Sequence, residues 1–217
     1  MHSTYKSGQI YYFFTTFAIM TLKDILIRYS FSTIGFFLVA VGIVLSVQAN
    51  IGISVLNAPA YAVSTKFPEL SLGLTNFIFF MLCVVFQIII LRKRFKATDL
   101  LQIPANFLLG YFINACTLLL SFLQNIPESH LKTAMLVISS VVISALGISM
   151  EVVAGAWMLP ADMTVRSLGI AFGGKFSDNK IKMDCTILLI GCALSLIFFK
   201  RILGPEETPT IGWGTLI

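Results

Sequence analysis

The residues of this chain best placed to do chemistry are carboxylates and amides set in apolar surroundings. Glu151 sits in the run Ser149-Met-Glu-Val-Val153, and Asp184 opens the run Asp184-Cys-Thr-Ile-Leu188. An ionised side chain in hydrocarbon is costly unless paired, so such residues mark ion paths, proton relays or buried partnerships. Two carboxylates near one vestibule can bind a cation or pass a proton. Each also has a structural reading: Asp184 paired with Lys180 one turn earlier, and Glu151 bonded to a neighbouring helix. Asn57 and Asp162 stand near the starts of two long, polar-tipped linkers, 50–69 and 159–182. An Asx residue there caps a short half-helix, either leaving its N–H dipoles facing a solute or serving as an ordinary cap. Asn76 joins these four as a solute- or ion-binding candidate, because an internal repeat sets it opposite Asp184.

Other chemistries lack their residues. There is no H-E-x-x-H, no G-x-S-x-G, no Walker loop and no G-x-G-x-x-G. His2 and His130 lie in flanks without metal-ligand spacing. Cys83, Cys116, Cys185 and Cys192 fall in apolar runs without a C-x-x-C, as small buried hydrophobes do. No catalytic residue, metal or cofactor is therefore expected, and the chain is expected not to be an enzyme.

The elements that must position these residues are membrane helices. Hydrophobic residues make up 57% of the 217 and charged residues 12%, with a mean hydropathy of +0.91. A soluble domain carries about 25% charged residues, and half that density cannot cover a soluble surface. The same figures exclude disorder, collagen and disulfide scaffolds. The net charge of +5 does not indicate nucleic-acid binding, because the basic residues are spread over connecting segments. Five segments are long enough to cross, roughly 31–49, 70–91, 100–123, 133–158 and 183–203. Their runs are too long for strands and do not alternate, which leaves helices. Pro104 and Asn106 are expected to kink the third. Gly169-Ile-Ala-Phe-Gly173 has the spacing of a helix-packing motif but falls in a linker.

Residues 1–30 read as a cytoplasmic N-terminal segment, and 31–217 as a single membrane domain. The apolar run from Ile10 to Met20 is too short to span, and no cleavage site follows it. It is either an interfacial helix or lies upstream of a true start at Met20, where Met20-Thr-Leu-Lys-Asp24 reads like a bacterial N-terminus. Tyr11, Tyr12 and Trp213 suit interfacial belts. Alternate flanks starting from the N-terminus carry eleven Lys and Arg, and the other flanks carry four. The positive-inside rule then puts the N-terminus in the cytoplasm.

The chain repeats itself with a period near 105. Gly42-Ile-Val-Leu-Ser-Val-Gln-Ala49 aligns with Gly147-Ile-Ser-Met-Glu-Val-Val-Ala154, and Gly35, Gly42 and Ala49 match Ser140, Gly147 and Ala154. Sevenfold spacing puts each trio on one helix face, the kind of face that close packing in lipid uses. Asn57 falls opposite Asp162; after a three-residue insertion Asn76 falls opposite Asp184, and Arg92-Lys93 opposite Lys200-Arg201. Three crossings per unit invert the second unit relative to the first, as in many secondary transporters. Repeat one is about 31–123 and a truncated repeat two about 133–217, with the sixth helix missing.

On these residues the chain resembles the YczE/YyaS/YitT family of bacterial integral membrane proteins, nearest its YczE branch, over about 20–217. The resemblance rests on Ala49-Asn-Ile-Gly52 and Leu72-Gly73 in the first unit. In the second it rests on Met150-Glu151-Val152, Pro160-Ala-Asp162, Lys180-Ile-Lys-Met-Asp184 and Gly212-Trp-Gly-Thr215. The chain departs from the family pattern at Asn57, where an acid is common, and at Trp157, which replaces a small residue. It also stops where the family's last helix would begin. The resemblance implies a multi-pass protein of the bacterial cytoplasmic (inner) membrane and little about activity.

The expectation is thus an all-α polytopic membrane protein of five transmembrane helices, a 3+3 inverted repeat with the sixth helix missing. The leading functional expectation is a transporter-like permease for a small solute. The alternative is a membrane-embedded accessory or assembly factor acting through a protein partner. Expected partners are the lipid bilayer, a small solute or cation, and a homodimer or protein partner, with no nucleic acid.

Overall fold

The computed structural model describes residues 22–127, 129–156, 158–205, 208–212 and 215. The described residues form α-helices joined by short turns: α1 (Leu22–Gln48), α2 (Ala58–Lys66), α3 (Leu72–Leu91), α4 (Gln102–Leu119), α5 (His130–Ala154), α6 (Pro160–Phe172) and α7 (Phe176–Phe199). Local chemistry sets several of their ends. Ser71 and Ser129 cap α3 and α5 by accepting the N–H groups of Leu74 and Lys132. Proline in the first turn opens α2 and α6, where its missing N–H costs nothing. Gly155, at φ 56°, closes α5 and donates its N–H to Glu151 O.

Among the described residues, four helices are long and apolar enough to cross a membrane: Leu22–Gln48, Leu72–Arg94, His130–Ala154 and Phe176–Phe199. This differs from the expected five. The third expected span, 100–123, forms α4, whose 18 residues reach about 27 Å. Gln102, Asn106 and Asn114 make it less apolar, and they bond within the protein rather than facing lipid. Pro104 does not kink α4, because it lies in the first turn. The first span begins at Leu22 rather than at residue 31, since the helix continues through the basic flank. The expected interfacial run 10–20, Tyr11, Tyr12, Trp157 and Trp213 lie outside the described residues.

The centre of the protein is the crossing of α1 and α5. Gly35 lies against Gly147, and a Cβ on Gly147 would come within 2.6 Å of Gly35 O. Seven residues on, Gly42 lies against Ser140 and Ser144, and Ser140 Oγ donates to Gly42 O at 2.8 Å. Early α1 therefore meets late α5, and the two helices run antiparallel. The small-residue faces read from the sequence pack on each other, which lets the backbones touch. Around this crossing, α4 packs on α1 and α3, α2 on α3 and α7, and α6 on α3 and α7. Phe36, Ile53, Leu109, Ile113 and Val165 fill the core between them.

Both long linkers contain a short helix, α2 in the first and α6 in the second. The segment after α7 folds back: Thr210 N donates to Leu203 O at 2.9 Å, and Gly212 packs on Ile51 and Gly52. The four cysteines are free thiols. Cys116 is buried as expected, whereas Cys185 is exposed on the outer face of α7.

Candidate functional site

α3 and α7 flank a cavity of about 840 Å³, with α2 and α6 completing its wall. Most of the lining is apolar, including Ile78, Phe79, Leu82 and Phe86 from α3 and Met183, Ile187, Ile190 and Leu194 from α7. Pro59 and Val63 of α2 and Leu168 and Phe172 of α6 extend it. Thr75, Thr164, Asn179, Lys182 and Thr186 are its polar members.

None of the five residues singled out from the sequence lines this cavity. Glu151 is buried in the last turn of α5, and its Oε1 accepts the N–H of Leu159 at 3.1 Å. Leu159 immediately precedes α6, so the carboxylate ties the end of α5 to the start of α6. Asp162 and Asp184 share one cation. Lys180 Nζ is 3.5 Å from Asp162 Oδ1 and 3.4 Å from Asp184 Oδ1, at partly exposed positions. The Lys180 pairing read from the sequence is thus present, and it takes in Asp162 as well. Asp162 is also close enough to act on Glu151 electrostatically. The structure brings three of the five candidates together where α5 ends and α6 and α7 begin.

The capping expectation for Asn57 and Asp162 is not met. Asn57 is the N-cap of α2 but makes no side-chain cap bond. Its Nδ2 instead donates to Ser54 Oγ at 2.7 Å. Asp162 lies inside the first turn of α6, whose N-cap is Leu159. Asn76 is fully buried, and neither its Oδ1 nor its Nδ2 has a hydrogen-bond partner among the described residues; the same holds for Asn57 Oδ1.

A polar network that sequence reading missed fixes α6 against the first half of the chain. Gln87 Nε2 donates at 3.0 Å to Gln102 Oε1, Pro160 O and Thr164 Oγ1. Gln102 returns a bond to Gln87 Oε1 at 3.0 Å and donates to Asp99 O at 2.7 Å. Arg94 Nη1 adds a bond to Ile170 O at 3.1 Å near the far end of α6. A glutamine in the apolar run Phe86-Gln-Ile-Ile-Ile90 was the available signal, since a buried amide needs partners. In the last turns of α7, Ser195 Oγ forms a buried pair with Thr210 Oγ1 of the following segment at 2.6 Å.

Residues 26–217 match the model of a protein family described as Family of unknown function (DUF6198). No curated protein and no solved structure matches the chain.

Proposed function

The chain belongs to that family, and we propose that it is a transporter-like permease for a small solute, built from two inverted units around the α3/α7 cavity. The observation that carries this reading is the pairing of cavity positions across the repeat. With the sequence offset, Leu82 corresponds to Ile190, Ile78 to Thr186 and Phe86 to Leu194, on α3 and α7. Val63 corresponds to Leu168 and Pro59 to Thr164, on α2 and α6. All ten line the cavity. A site drawn equally from matched positions of two halves is where inverted-repeat transporters bind their substrates.

Two further relations support the swap. The contact of Gly35 with Gly147 becomes, on shifting by the period, the contact of Ser140 with Gly42. The buried pair Gln87–Gln102 becomes Ser195–Thr210, and both pairs are 15 residues apart in sequence. On this reading α2 and α6 are half-helices entering from opposite faces, and the Lys180 triad and Glu151 hold the second of them in place.

The partner-dependent alternative drew on the absence of a strong ion-site cluster and on the small-residue faces; those faces are here occupied by each other. Uptake by the purified full chain in proteoliposomes, across a small-solute panel, tests the proposal. Uptake above empty liposomes is expected, with loss in Leu82→Trp, which fills the cavity, and retention in Glu151→Gln. Absence of uptake for every solute, or uptake indifferent to Leu82→Trp, overturns it.

A further inference from the structure

The chemistry of the cavity wall narrows what it can hold. Its polar side chains are turned to their own backbone. Thr75 Oγ donates to Ser71 O and Leu72 O. Thr164 Oγ donates to Pro160 O at 2.7 Å, and Thr186 Oγ to Lys182 O at 2.8 Å. Asn179 Nδ2 donates to Gly173 O at 3.0 Å. A polar solute such as a sugar would leave its hydroxyls without partners against the aliphatic and aromatic remainder, and burying unpaired polar groups is strongly unfavourable.

One charged group breaks the apolar wall. Lys182, two turns into α7, lines the cavity and has no ion-pair partner among the described residues. The acidic residues next to it on α7, and Asp162, have other partners. Asp162 and Asp184 are held by Lys180, and Asp178, one turn earlier, is 3.4 Å from Ser177 Oγ. The cavity therefore presents a long apolar surface with a single unpaired ammonium where α7 begins. Its volume of about 840 Å³ falls within the range of ligand clefts, and the cleft opens outward between α3 and α7, where Leu82, Ile190 and Lys182 are exposed.

We propose that the α3/α7 cavity binds a single-chain anionic amphiphile of the long-chain carboxylate type, its tail against Leu82 and Ile190 and its carboxylate at Lys182. The assignment names the substrate class for the permease reading and rests on it only for movement; occupancy of the site is measurable without transport.

The experiment is photo-crosslinking of the full chain in nanodiscs of zwitterionic phosphatidylcholine. The probes are a diazirine-bearing long-chain carboxylate and its methyl ester, and the modified residues are mapped by mass spectrometry. The carboxylate is expected to label α3 and α7 and to be displaced by excess palmitate. Lys182→Gln is expected to weaken that labelling about tenfold, the scale of one charge-assisted contact, and to leave the ester's labelling unchanged. Leu82→Trp is expected to abolish labelling by both probes while the melting profile stays that of a folded protein. Equal labelling by acid and ester, unaffected by Lys182→Gln, overturns the headgroup assignment. Labelling confined to the lipid-facing surface overturns the site. Labelling without any uptake in proteoliposomes keeps the site and removes the permease reading, whereas uptake without labelling removes the site alone.

Discussion

At the scale of single residues, Glu151 shows how a charge in an apolar run can be structural first. Its carboxylate accepts a hydrogen bond from the Leu159 N–H, a donor at the mouth of α6. Glu151→Ala removes that acceptor and leaves a buried N–H unpaired, which costs about 1–3 kcal/mol. Glu151→Gln keeps an amide oxygen in reach and should cost about 1 kcal/mol or less by the same reasoning. Thermal denaturation of the purified protein is expected to order the melting temperatures as wild type, then Gln, then Ala. An Ala variant melting with the wild type would show that the carboxylate does not hold α6. The Lys180 triad differs, because its members are about one-third exposed and exposed ion pairs contribute little to stability. Its contribution is to fix where α6 starts relative to α7.

At the scale of elements, small residues decide which helices touch. A Cβ on Gly147 would approach Gly35 O at 2.6 Å and Val39 N at 2.8 Å, both backbone atoms that cannot turn aside. Gly147→Val should therefore force α1 and α5 apart and destabilise the protein by about 3 kcal/mol, the upper range for overpacking. Gly169→Ala is the contrasting case, because the nearest atom to its new Cβ is Asn179 Nδ2 at 3.5 Å. Its melting temperature is expected to match the wild type, and a loss equal to that of Gly147→Val would contradict the packing described for α6. The sequence carried the first of these contacts openly, since Gly35, Gly42 and Ser140, Gly147 recur at sevenfold spacing. It also showed that the linkers were too long for turns, and both hold helices. What it concealed was side-chain direction. Gln87 and Gln102 lie far apart in an apolar sequence, and only their pairing through Pro160 and Thr164 shows that α6 is anchored to α3. The cavity was invisible for the same reason: its wall consists of ordinary apolar residues, indistinguishable in sequence from those facing lipid. The carboxylates that drew attention in the sequence stand together beside it instead.

At the scale of the whole molecule, the arrangement of α2 and α6 separates an inverted design from a merely repeated one. If the units are inverted, the linker after α2 and the linker after α6 open on opposite sides of the membrane. The positive-inside rule predicts the sides: Arg92, Lys93, Arg94 and Lys96 in one connection and Arg166, Lys175, Lys180 and Lys182 in another are expected on the cytoplasmic side. Single cysteines placed at exposed positions in a background without the four native thiols read this directly. Glu69→Cys and Asn125→Cys are expected to react with a membrane-impermeant maleimide on right-side-out vesicles. Lys93→Cys and Lys175→Cys are expected to react only after permeabilisation. The decisive comparison is Glu69 with Lys175, because these positions follow the two short helices. If both react from one side, α2 and α6 enter from the same face. The matched cavity walls would then not be related by inversion, and alternating exposure of the α3/α7 cavity by exchange of the two units would lose its structural basis. If they react from opposite sides, each short helix approaches the cavity from its own face. The contacts of α2 with α7 and of α6 with α3 then become the two elements whose rearrangement would open the cavity to one side or the other.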